Sequence, residues 1–392
     1  MLMKLKRIFQ APQKTFLLLG PRGTGKTTWL QSTLHPKAFI NLLHSEHYFR
    51  YQSDPSLLRK DLSHLSPGDW VVIDEAQRVP ELLNEIQSLY QSHEIHFAIT
   101  GSSARKLKRS QANLLAGRAL RCDFFPFVHA ELRDPSLLPA CIEFGSLPPV
   151  IMDPQHARET LSAYIETYLK EEVAAEALTR QLEPFTRFLR VAAQHHGQHL
   201  NVEAIARESM VKRRTVDNYF QILEDTLLGY QLPALKLNWR KKETAHPKFY
   251  FFDAGVARAA SGWLREEMPD TWRGYSFETF VINEVRAYNS YQKRERALFH
   301  YDVAGGMDVD LLVETGRKVL QRPATYIAIE IKLARRWQPE WSAPLRSLVS
   351  DPKSKVTAAY GVYLGDQTHT TEGITLLPFE DFSHKLWNGE LF

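Results

Sequence analysis

The sequence has little cysteine, which limits the kinds of site that it can build. Cys122 and Cys141 are its two cysteines, and they provide neither a disulfide framework nor the spacing of a zinc site. Chains without structural disulfides are typical of reducing compartments, so the sequence predicts a cytoplasmic protein. No stretch approaches the roughly 18 consecutive apolar residues of a membrane span, and the basic N-terminus lacks the apolar segment of a signal peptide.

A large excess of one charge is also missing. The 49 basic and 45 acidic side chains leave a net charge of +4, which permits a nucleic-acid partner without requiring one. Internal repeats and low-complexity segments are absent from the sequence. The length of 392 residues predicts two or three domains, and 44% hydrophobic and 24% charged residues are typical of globular proteins.

The clearest positive signal is a glycine-rich loop between a predicted strand, Phe16–Leu19, and a predicted helix. It matches the pattern G-x-x-x-x-G-K-[ST], in which backbone N–H groups surround the phosphates of a nucleotide. The expected ligand is ATP with Mg²⁺: Lys26 would reach the β- and γ-phosphates, and the Thr27 hydroxyl would hold the metal. The residues before this strand, 1–15, are predicted to form a short helix and lead-in. The predicted nucleotide-binding residues are Gly20, Pro21, Arg22, Gly23, Thr24, Gly25, Lys26, Thr27 and Thr28.

Two carboxylates follow the next strongly apolar segment, which begins at Trp70. A continuous apolar run is typical of a strand buried on both faces of a parallel sheet, and its carboxyl end lies where such sheets bind ligands. We therefore assign Asp74 to Mg²⁺ and Glu75 to the activation of the attacking water.

Two further residues are candidates for the same site. Ser102 follows the predicted strand His96–Thr100 and is expected to sense the γ-phosphate or the attacking water. The alternative is a helix N-cap, and the two roles can coexist. Arg118 lies in a basic stretch, 104–121, and is the best candidate for an arginine finger in the same or a neighbouring subunit. The alternative for this stretch is a solvated helix face.

The middle of the chain has the spacing of a helix-turn-helix, with predicted helices over Leu200–Ala206 and Arg213–Leu223. A β-wing would follow, up to Lys248–Phe252. Such units contact DNA or serve as protein contacts, and both interpretations stay open. The histidine-rich run 195–199 is interpreted as a loop, since neither cysteines nor well-spaced acids support a metal site. The side chains expected near the start of the second helix are Lys212, Arg213, Arg214 and Asn218.

The last part of the chain carries a second set of charged residues. Glu278 lies on a predicted amphipathic helix, Tyr275–Tyr288, and Asp310 on a predicted strand. Glu330 and Lys332 are two residues apart on another strand and therefore point to one face. This arrangement resembles the nuclease pattern of the PD-(D/E)xK superfamily. In such a site Asp310 and Glu330 would hold Mg²⁺, Lys332 would orient water or stabilise charge, and Glu278 would complete the cluster.

The order of these motifs resembles a family of prokaryotic AAA+ ATPases with a C-terminal domain of unknown function, DUF4143, related to the archaeal ATPases. The resemblance rests on the loop 20–27, the segments 73–80 and 100–103, Leu115–Arg118 and the later motifs around Phe249–Gly255 and Phe277–Glu284. It implies an ATPase module, a winged-helix segment and a nuclease-like fold, in a setting of defence or mobile-element maintenance.

We therefore expect an α/β protein with three domains. These are a parallel-sheet AAA+ ATPase domain (1–150), a helical and winged-helix segment (151–255) and a nuclease-like α/β domain (256–392). The predicted function is Mg²⁺-dependent ATP hydrolysis coupled to DNA, with cleavage left open and an ATP-dependent homo-oligomer conceivable. The alternative is a nucleotide-dependent switch that binds a partner protein through an inactive nuclease fold.

Overall fold

The computed structural model describes residues 5–102, 119–132, 134–174, 182–237, 246–303, 307–320 and 322–392. They form two compact units. The N-terminal unit comprises Lys6–Phe127 with Leu223–Leu228, and the C-terminal unit comprises Val128–Ile222 with Gly229–Phe392. The predicted α/β class is confirmed, since each unit contains its own sheet with helices. Across the described ranges, none of the helices combines the length and apolar character needed to cross a bilayer.

The N-terminal unit is built on a five-stranded sheet with the order β2-β3-β4-β1-β5, in which neighbouring strands are parallel. The strands are β1 (Phe16–Leu19), β2 (Ala38–Asn41), β3 (Trp70–Asp74), β4 (His96–Gly101) and β5 (Leu120–Asp123). Its helices are Lys26–Leu34, Ser45–Ser53, Leu57–Asp61 and Leu82–His93, with a 3₁₀ turn at Ala76–Arg78. Residues Val71–Asp74 of β3 are fully buried, as the apolar run predicts. Because the carboxyl ends of parallel strands share one edge, the segments that follow β1, β3 and β4 meet there.

The predicted helix over residues 1–15 is wrong for the described part, since residues 5–15 contain no helix. The side chain of Arg7 fixes this segment instead. Its guanidinium lies 4.3 Å from the ring centre of Phe124 and 4.8 Å from that of Phe127. These cation–π contacts hold the lead-in against the segment after β5.

The C-terminal unit begins with helices. Their bounds are Leu138–Phe144, Pro148–Met152, Ala157–Thr167, Leu182–Gln194, Val202–Ser209 and Arg213–Asp225, with a π-helix at Tyr168–Ala174 and 3₁₀ turns at His129–Glu131, Pro135–Leu137 and Pro154–His156. The last two α-helices confirm the predicted helix pair. An aromatic cluster of Phe185, Phe188, Tyr219 and Phe220 packs the second of these helices against Leu182–Gln194.

Two antiparallel strands follow the helix pair, β6 (Gly229–Leu232) and β7 (Lys248–Phe251). The rest of the unit is a mixed sheet with the order β12-β13-β11-β10-β9-β8. Its strands are β8 (Leu298–Val303), β9 (Met307–Gly316), β10 (Thr325–Lys332), β11 (Val356–Tyr363), β12 (His369–Thr371) and β13 (Ile374–Pro378). The accompanying helices are Ala254–Ser261, Asp270–Tyr291, Ala343–Ser350 and Phe379–Trp387, with a 3₁₀ turn at Pro339–Ser342.

The helix Asp270–Tyr291 extends beyond its predicted bounds, and its amphipathic character was predicted wrongly. Its polar residues Glu278 and Glu284 are 6% and 0% exposed, because neighbouring elements cover both faces. Glu284 accepts hydrogen bonds from the backbone N–H groups of His129 (2.5 Å) and Ala130 (3.2 Å). Ser383 Oγ and Trp387 Nε1 donate to the same carboxylate at 2.8 and 2.7 Å. This buried acid thus joins the first turn of the unit, its longest helix and the helix Phe379–Trp387.

Candidate functional site

The loop after β1 has the conformation that its glycines permit. Gly23 and Gly25 adopt φ values of 79° and 88°, in the left-handed region that glycine reaches without steric cost. Thr24 Oγ1 donates to the carbonyl oxygen of Pro21 at 2.9 Å and closes the turn. At Gly20 a Cβ would lie 2.4 Å from the carbonyl oxygen of Phe124, so no side chain fits there. The loop is therefore a preformed turn whose backbone leads directly into a helix.

Lys26 is the first residue of that helix, Lys26–Leu34, and its side chain folds back over the loop. Its ammonium group donates to the carbonyl oxygens of Gly20 (2.6 Å) and Pro21 (2.9 Å). The first N–H groups of a helix have no partner within it, and together with the helix dipole they favour an anion. A cation and the first backbone N–H groups of a helix thus meet at one end of the loop, as phosphate binding requires.

Asp74, at the carboxyl end of β3, is held by hydroxyl groups from two other elements. Thr27 Oγ1 donates to its Oδ2 at 2.9 Å, and Thr100 Oγ1 donates to its Oδ1 at 2.6 Å. Burial raises the pKa of this carboxyl, while the bond from Thr100 acts in the opposite direction. The structure therefore brings together the two predicted metal ligands, Thr27 and Asp74, and adds Thr100.

Glu75 follows Asp74 in a left-handed conformation, with φ of 61°, which is uncommon for a residue other than glycine. Its backbone N–H donates to Thr100 Oγ1 at 2.9 Å. Its carboxylate accepts hydrogen bonds from Gln77 Nε2 at 2.5 Å and from Ser102 Oγ at 3.3 Å. Gln77 Nε2 also lies 2.9 Å from Ser102 Oγ. The predicted pair of Glu75 and Ser102 is in direct contact, and Gln77 connects them.

Gln77 and Thr100 were missed as site residues in the sequence. Gln77 is 3% exposed, and its Oε1 atom has no hydrogen-bond partner among the described residues. The sequence signal for Gln77 was its position two residues after Glu75. The signal for Thr100 was its position at the end of the predicted strand, immediately before Gly101. Arg118 lies outside the described residues, so its assignment as an arginine finger stays a prediction.

The donor set at this edge fits Mg²⁺ and a nucleotide. A hydroxyl and a carboxylate oxygen, from Thr27 and Asp74, are the hard oxygen ligands that Mg²⁺ takes beside substrate phosphates. The unpartnered acceptor of Gln77 lies on the same side chain that contacts Glu75 and Ser102. These residues therefore combine a phosphate-binding loop, a metal-binding pair and a polar group suited to a water molecule.

The second predicted set comes together in the C-terminal unit, with an additional lysine. Lys248, the first residue of β7, has its ammonium group 3.3 Å from Glu278 Oε1 and 3.6 Å from Asp310 Oδ1. Lys332 Nζ is 3.7 Å from Asp310 Oδ2 and also forms an ion pair with Glu330. Three carboxylates are thus held by two lysines.

Burial dominates the electrostatics of this cluster. It raises the pKa of Glu278 to about 7, with Lys248 acting in the opposite direction, and it raises the pKa of Glu330 well above its usual range. Burial alone would lower the pKa of Lys248, but Glu278 and Asp310 raise it above its ordinary value. Lys248 is therefore a permanent positive charge inside the cluster.

The cluster fits a divalent cation poorly. Lys248 already lies against both Glu278 and Asp310, and Asp310 Oδ2 accepts the backbone N–H of Ile331 at 2.8 Å. Glu330 Oε2 is the one buried oxygen of the three carboxylates that finds no hydrogen-bond partner within the described ranges. Among all the residues that the structure describes, no three His, Cys, Asp or Glu side chains form a set of metal ligands. The metal role of Asp310 and Glu330 stays a prediction.

The helix pair Val202–Ser209 and Arg213–Asp225 presents a basic turn. Asn201 caps the first helix by accepting the N–H of Ala204 at 3.0 Å. Four side chains at the start of the second helix are exposed, and one of them, Arg213, forms a 3.0 Å ion pair with Glu203. The exposed side chains are those of Lys212, Arg213, Arg214 and Asn218.

The histidine-rich run is a turn, as predicted, and one of its members is part of the core. His196 Nδ1 accepts the backbone N–H of Phe251 at 3.1 Å, and its Nε2 lies 2.8 Å from Thr279 Oγ1. Burial lowers the pKa of His196 to about 3, so the ring stays neutral. Its role is to fill and satisfy the core between β7 and the helix Asp270–Tyr291.

Comparison with known protein families divides the chain into three matched segments. Residues 12–133 match an AAA domain, and residues 273–382 match the domain of unknown function DUF4143. The segment between them, 136–267, matches another domain of unknown function, DUF8612. The chain therefore contains an AAA domain and a DUF4143 domain, which confirms the resemblance seen in the sequence.

Individual proteins resemble the chain more distantly. Uncharacterized proteins of Mycobacterium bovis and Mycobacterium tuberculosis are each 27% identical over 345 residues, covering 86% of this chain and 73% of the relative. Among solved structures, a Walker-type ATPase of Pyrococcus abyssi aligns with a TM-score of 0.44 and 16% identity, over 63% of this chain and 90% of that one.

The lysine inside the carboxylate cluster yields a stability prediction. Replacing Lys248 by methionine removes the charge but keeps much of the volume. Glu278 then loses its ion pair, and Asp310 keeps only Lys332 as a cationic partner among the described residues. We expect the free energy of unfolding to fall by about 3–5 kcal/mol at pH 8, measured by urea denaturation. The loss should be smaller at pH 5, because a buried Glu278 whose pKa is raised is then protonated in the folded state.

The matched control is Lys236→Met, since Lys236 is exposed. Its free energy of unfolding should change by no more than about 0.5 kcal/mol at either pH. Equal effects of the two substitutions would contradict the view that Lys248 neutralises the cluster.

Proposed function

We propose that the N-terminal unit binds and hydrolyses ATP in the presence of Mg²⁺. The observation that carries this proposal is the hydrogen-bonded group at the carboxyl edge of the five-stranded sheet. It links the helix after the phosphate-binding loop to the ends of β3 and β4 through Thr27, Asp74 and Thr100. The side chains of Glu75, Gln77 and Ser102 form a second set of hydrogen bonds beside this group.

Each residue of this group has a distinct task in the proposed reaction. The loop N–H groups and Lys26 bind the β- and γ-phosphates, which requires the Lys26 ammonium to exchange its two carbonyl acceptors for phosphate oxygens. Thr27 and Asp74 would hold Mg²⁺, which neutralises the charge that develops on the phosphates. Thr100 keeps the Asp74 carboxylate oriented toward Thr27.

Glu75 would act as the base for the attacking water. The water oxygen forms a bond to the γ-phosphorus, its proton passes to the Glu75 carboxylate, and the bond to the bridging oxygen of ADP breaks. Gln77 and Ser102 position the carboxylate, and the unpartnered Oε1 of Gln77 is a further acceptor for the water.

Replacing Glu75 by glutamine tests this role. The substitution keeps the shape of the side chain but removes the base, so ATP binding should remain within about twofold while the hydrolysis rate falls about 10²–10⁴-fold. The rate is measured by phosphate release and the affinity by titration with a fluorescent ATP analogue. Glu81→Gln is the control, since Glu81 is an exposed acid close by in the chain, and its rate should be unchanged. Normal turnover by Glu75→Gln would remove Glu75 from the reaction.

We also propose that the C-terminal unit contacts nucleic acid through the helix pair. The exposed basic residues at the start of Arg213–Asp225 support this, as do the two antiparallel strands β6 and β7 that follow in the position of a wing. In helix-turn-helix proteins, the start of the second helix enters the major groove. The alternative is a switch that binds a partner protein, for which the exposed Met210 in the turn of the helix pair would be a contact.

Salt dependence separates these two functions. For a DNA contact, the double substitution Lys212→Gln/Arg214→Gln should weaken binding of a labelled duplex and lower the slope of log K against log salt by about 1.8, since each phosphate contact contributes about 0.9. Binding is measured by fluorescence anisotropy between about 50 and 200 mM NaCl. A wild-type protein that binds no DNA at any salt concentration would favour the protein switch.

For the carboxylate cluster, we propose a structural role, in which its members compensate one another's buried charge, and no cleavage of nucleic acid. The positions of the Lys248 and Lys332 ammonium groups support this, because they neutralise the carboxylates from within. We expect labelled single- and double-stranded DNA to stay intact when incubated with the protein and Mg²⁺ or Mn²⁺, as judged on a denaturing gel. Cleavage that disappears in the variant Asp310→Asn/Lys332→Met would show that the cluster is a nuclease centre.

A further inference from the structure

A cavity of about 420 Å³ in the C-terminal unit has no role in the functions discussed so far. Its volume is in the range of small-ligand sites, and about the size of one nucleotide. Its lining is unusual because it combines three guanidinium groups with two aromatic rings. These lining residues are Arg335, Arg336, Arg346, Trp337 and Tyr363.

Two of the three arginines have free charges. Arg346 forms an ion pair with Glu372, another residue of the lining, so these two charges compensate each other. Arg335 and Arg336 are exposed and form no ion pair or hydrogen bond with any residue that the structure describes. The remaining acid of the lining is Asp366. The cavity therefore offers two unpaired guanidinium groups, the geometry best suited to phosphate oxygens.

The aromatic wall is fixed in place. Trp337 Nε1 donates to Ser342 Oγ at 2.8 Å, and its ring packs on Gly361, where a Cβ would lie 2.6 Å from the Trp337 ring. Tyr363 lies edge-on to Trp337 with 6.1 Å between ring centres, and its hydroxyl donates to the carbonyl oxygen of Gln367 at 2.7 Å. An ordered indole that is still partly exposed is a ready surface for stacking a base.

The cavity lies where β10 ends, next to the carboxylate cluster. The backbone N–H of Ala334 donates to the carbonyl oxygen of Lys332 at 2.9 Å, and that of Leu364 donates to Ala334 at 2.9 Å. These bonds tie the chain after β10 to the end of the parallel strand β11. Arg335 is three residues beyond Lys332, a span of at most about 10 Å of extended chain.

We propose that this cavity binds one unpaired nucleotide of a single-stranded nucleic acid. The phosphate would bind to Arg335 and Arg336, and the base would stack on Trp337. Stacking on an aromatic ring requires an unstacked, unpaired base, so the preferred ligand is a single strand or the open end of a duplex. The proposal rests on the proposed function only in taking nucleic acid as the partner, since it uses none of the helix-pair residues.

The test compares two double variants of the full chain. The cavity variant is Arg335→Gln/Arg336→Gln. The charge control is Lys353→Gln/Lys355→Gln, which removes two exposed charges just before β11, at the opposite end of the strand from the cavity. Binding of a fluorescein-labelled 20-nucleotide oligodeoxythymidine is followed by anisotropy across a salt series. We expect the cavity variant to bind at least tenfold more weakly, with a salt slope smaller by about 1.4. The control should stay within twofold of wild type.

A second arm separates stacking from charge. Trp337→Leu keeps the charges and should weaken binding of the oligonucleotide about 5- to 100-fold, the range found for loss of one stacked base, without changing the salt slope. Trp337→Phe should restore most of the affinity. Thermal unfolding and the ATP hydrolysis rate serve as checks that each variant is folded, since neither should change in the cavity variant or the charge control.

The outcomes distinguish this proposal from the proposed function. If the cavity variant binds the oligonucleotide like wild type while the substitutions at Lys212 and Arg214 abolish duplex binding, the cavity proposal is overturned and the helix-pair contact stands. Equal losses in the cavity variant and the charge control overturn it as well, because any exposed charges would then suffice. If the wild-type protein binds neither single- nor double-stranded DNA, both proposals fail.

Discussion

The buried carboxylate of Asp74 is the interaction on which the rest of the candidate ATP site depends. An ionised acid in the interior is stable only when hydrogen bonds replace its hydration. Here the replacements are hydroxyl groups from the helix Lys26–Leu34 and from β4, so three elements must take one relative position. Glu75 is bonded to the same group, since its N–H donates to the hydroxyl of Thr100. The residue that would activate water, Glu75, is therefore bonded to the same hydroxyl that orients Asp74, the proposed metal ligand.

The C-terminal unit also buries carboxylates, but there lysine side chains compensate their charge. Its three acids lie close to one another, and two lysines supply the compensating charge. A buried ion cluster of this kind contributes little net stability compared with apolar residues, but it becomes costly as soon as one member is removed. The arrangement therefore limits which substitutions the unit tolerates more than it strengthens the fold.

Features that depend on neighbours in the sequence were predictable, and those that depend on distant partners were not. The loop 20–27 and the pair Asp74–Glu75 are local patterns, and the strands and helices around them were found close to their observed bounds. Lys248 enters the carboxylate cluster from a strand 30 residues before Glu278, and nothing in its own sequence surroundings marks it. The lead-in segment was predicted wrongly because the cation–π contact that holds it joins Arg7 to Phe124, which lies far away in the sequence. Trp337 likewise depends on Gly361, whose missing side chain is informative only once β11 is in place.

The four hydrogen bonds to Glu284 have a consequence for the order in which the protein forms during synthesis. Two of its donors precede it by 155 and 154 residues, and the other two follow it by 99 and 103. The C-terminal unit therefore cannot close around this acid until Trp387 has left the ribosome. The N-terminal unit needs no residue beyond Leu228. Translation thus imposes a sequence of events in which the nucleotide-binding half is complete while its companion is still unfinished.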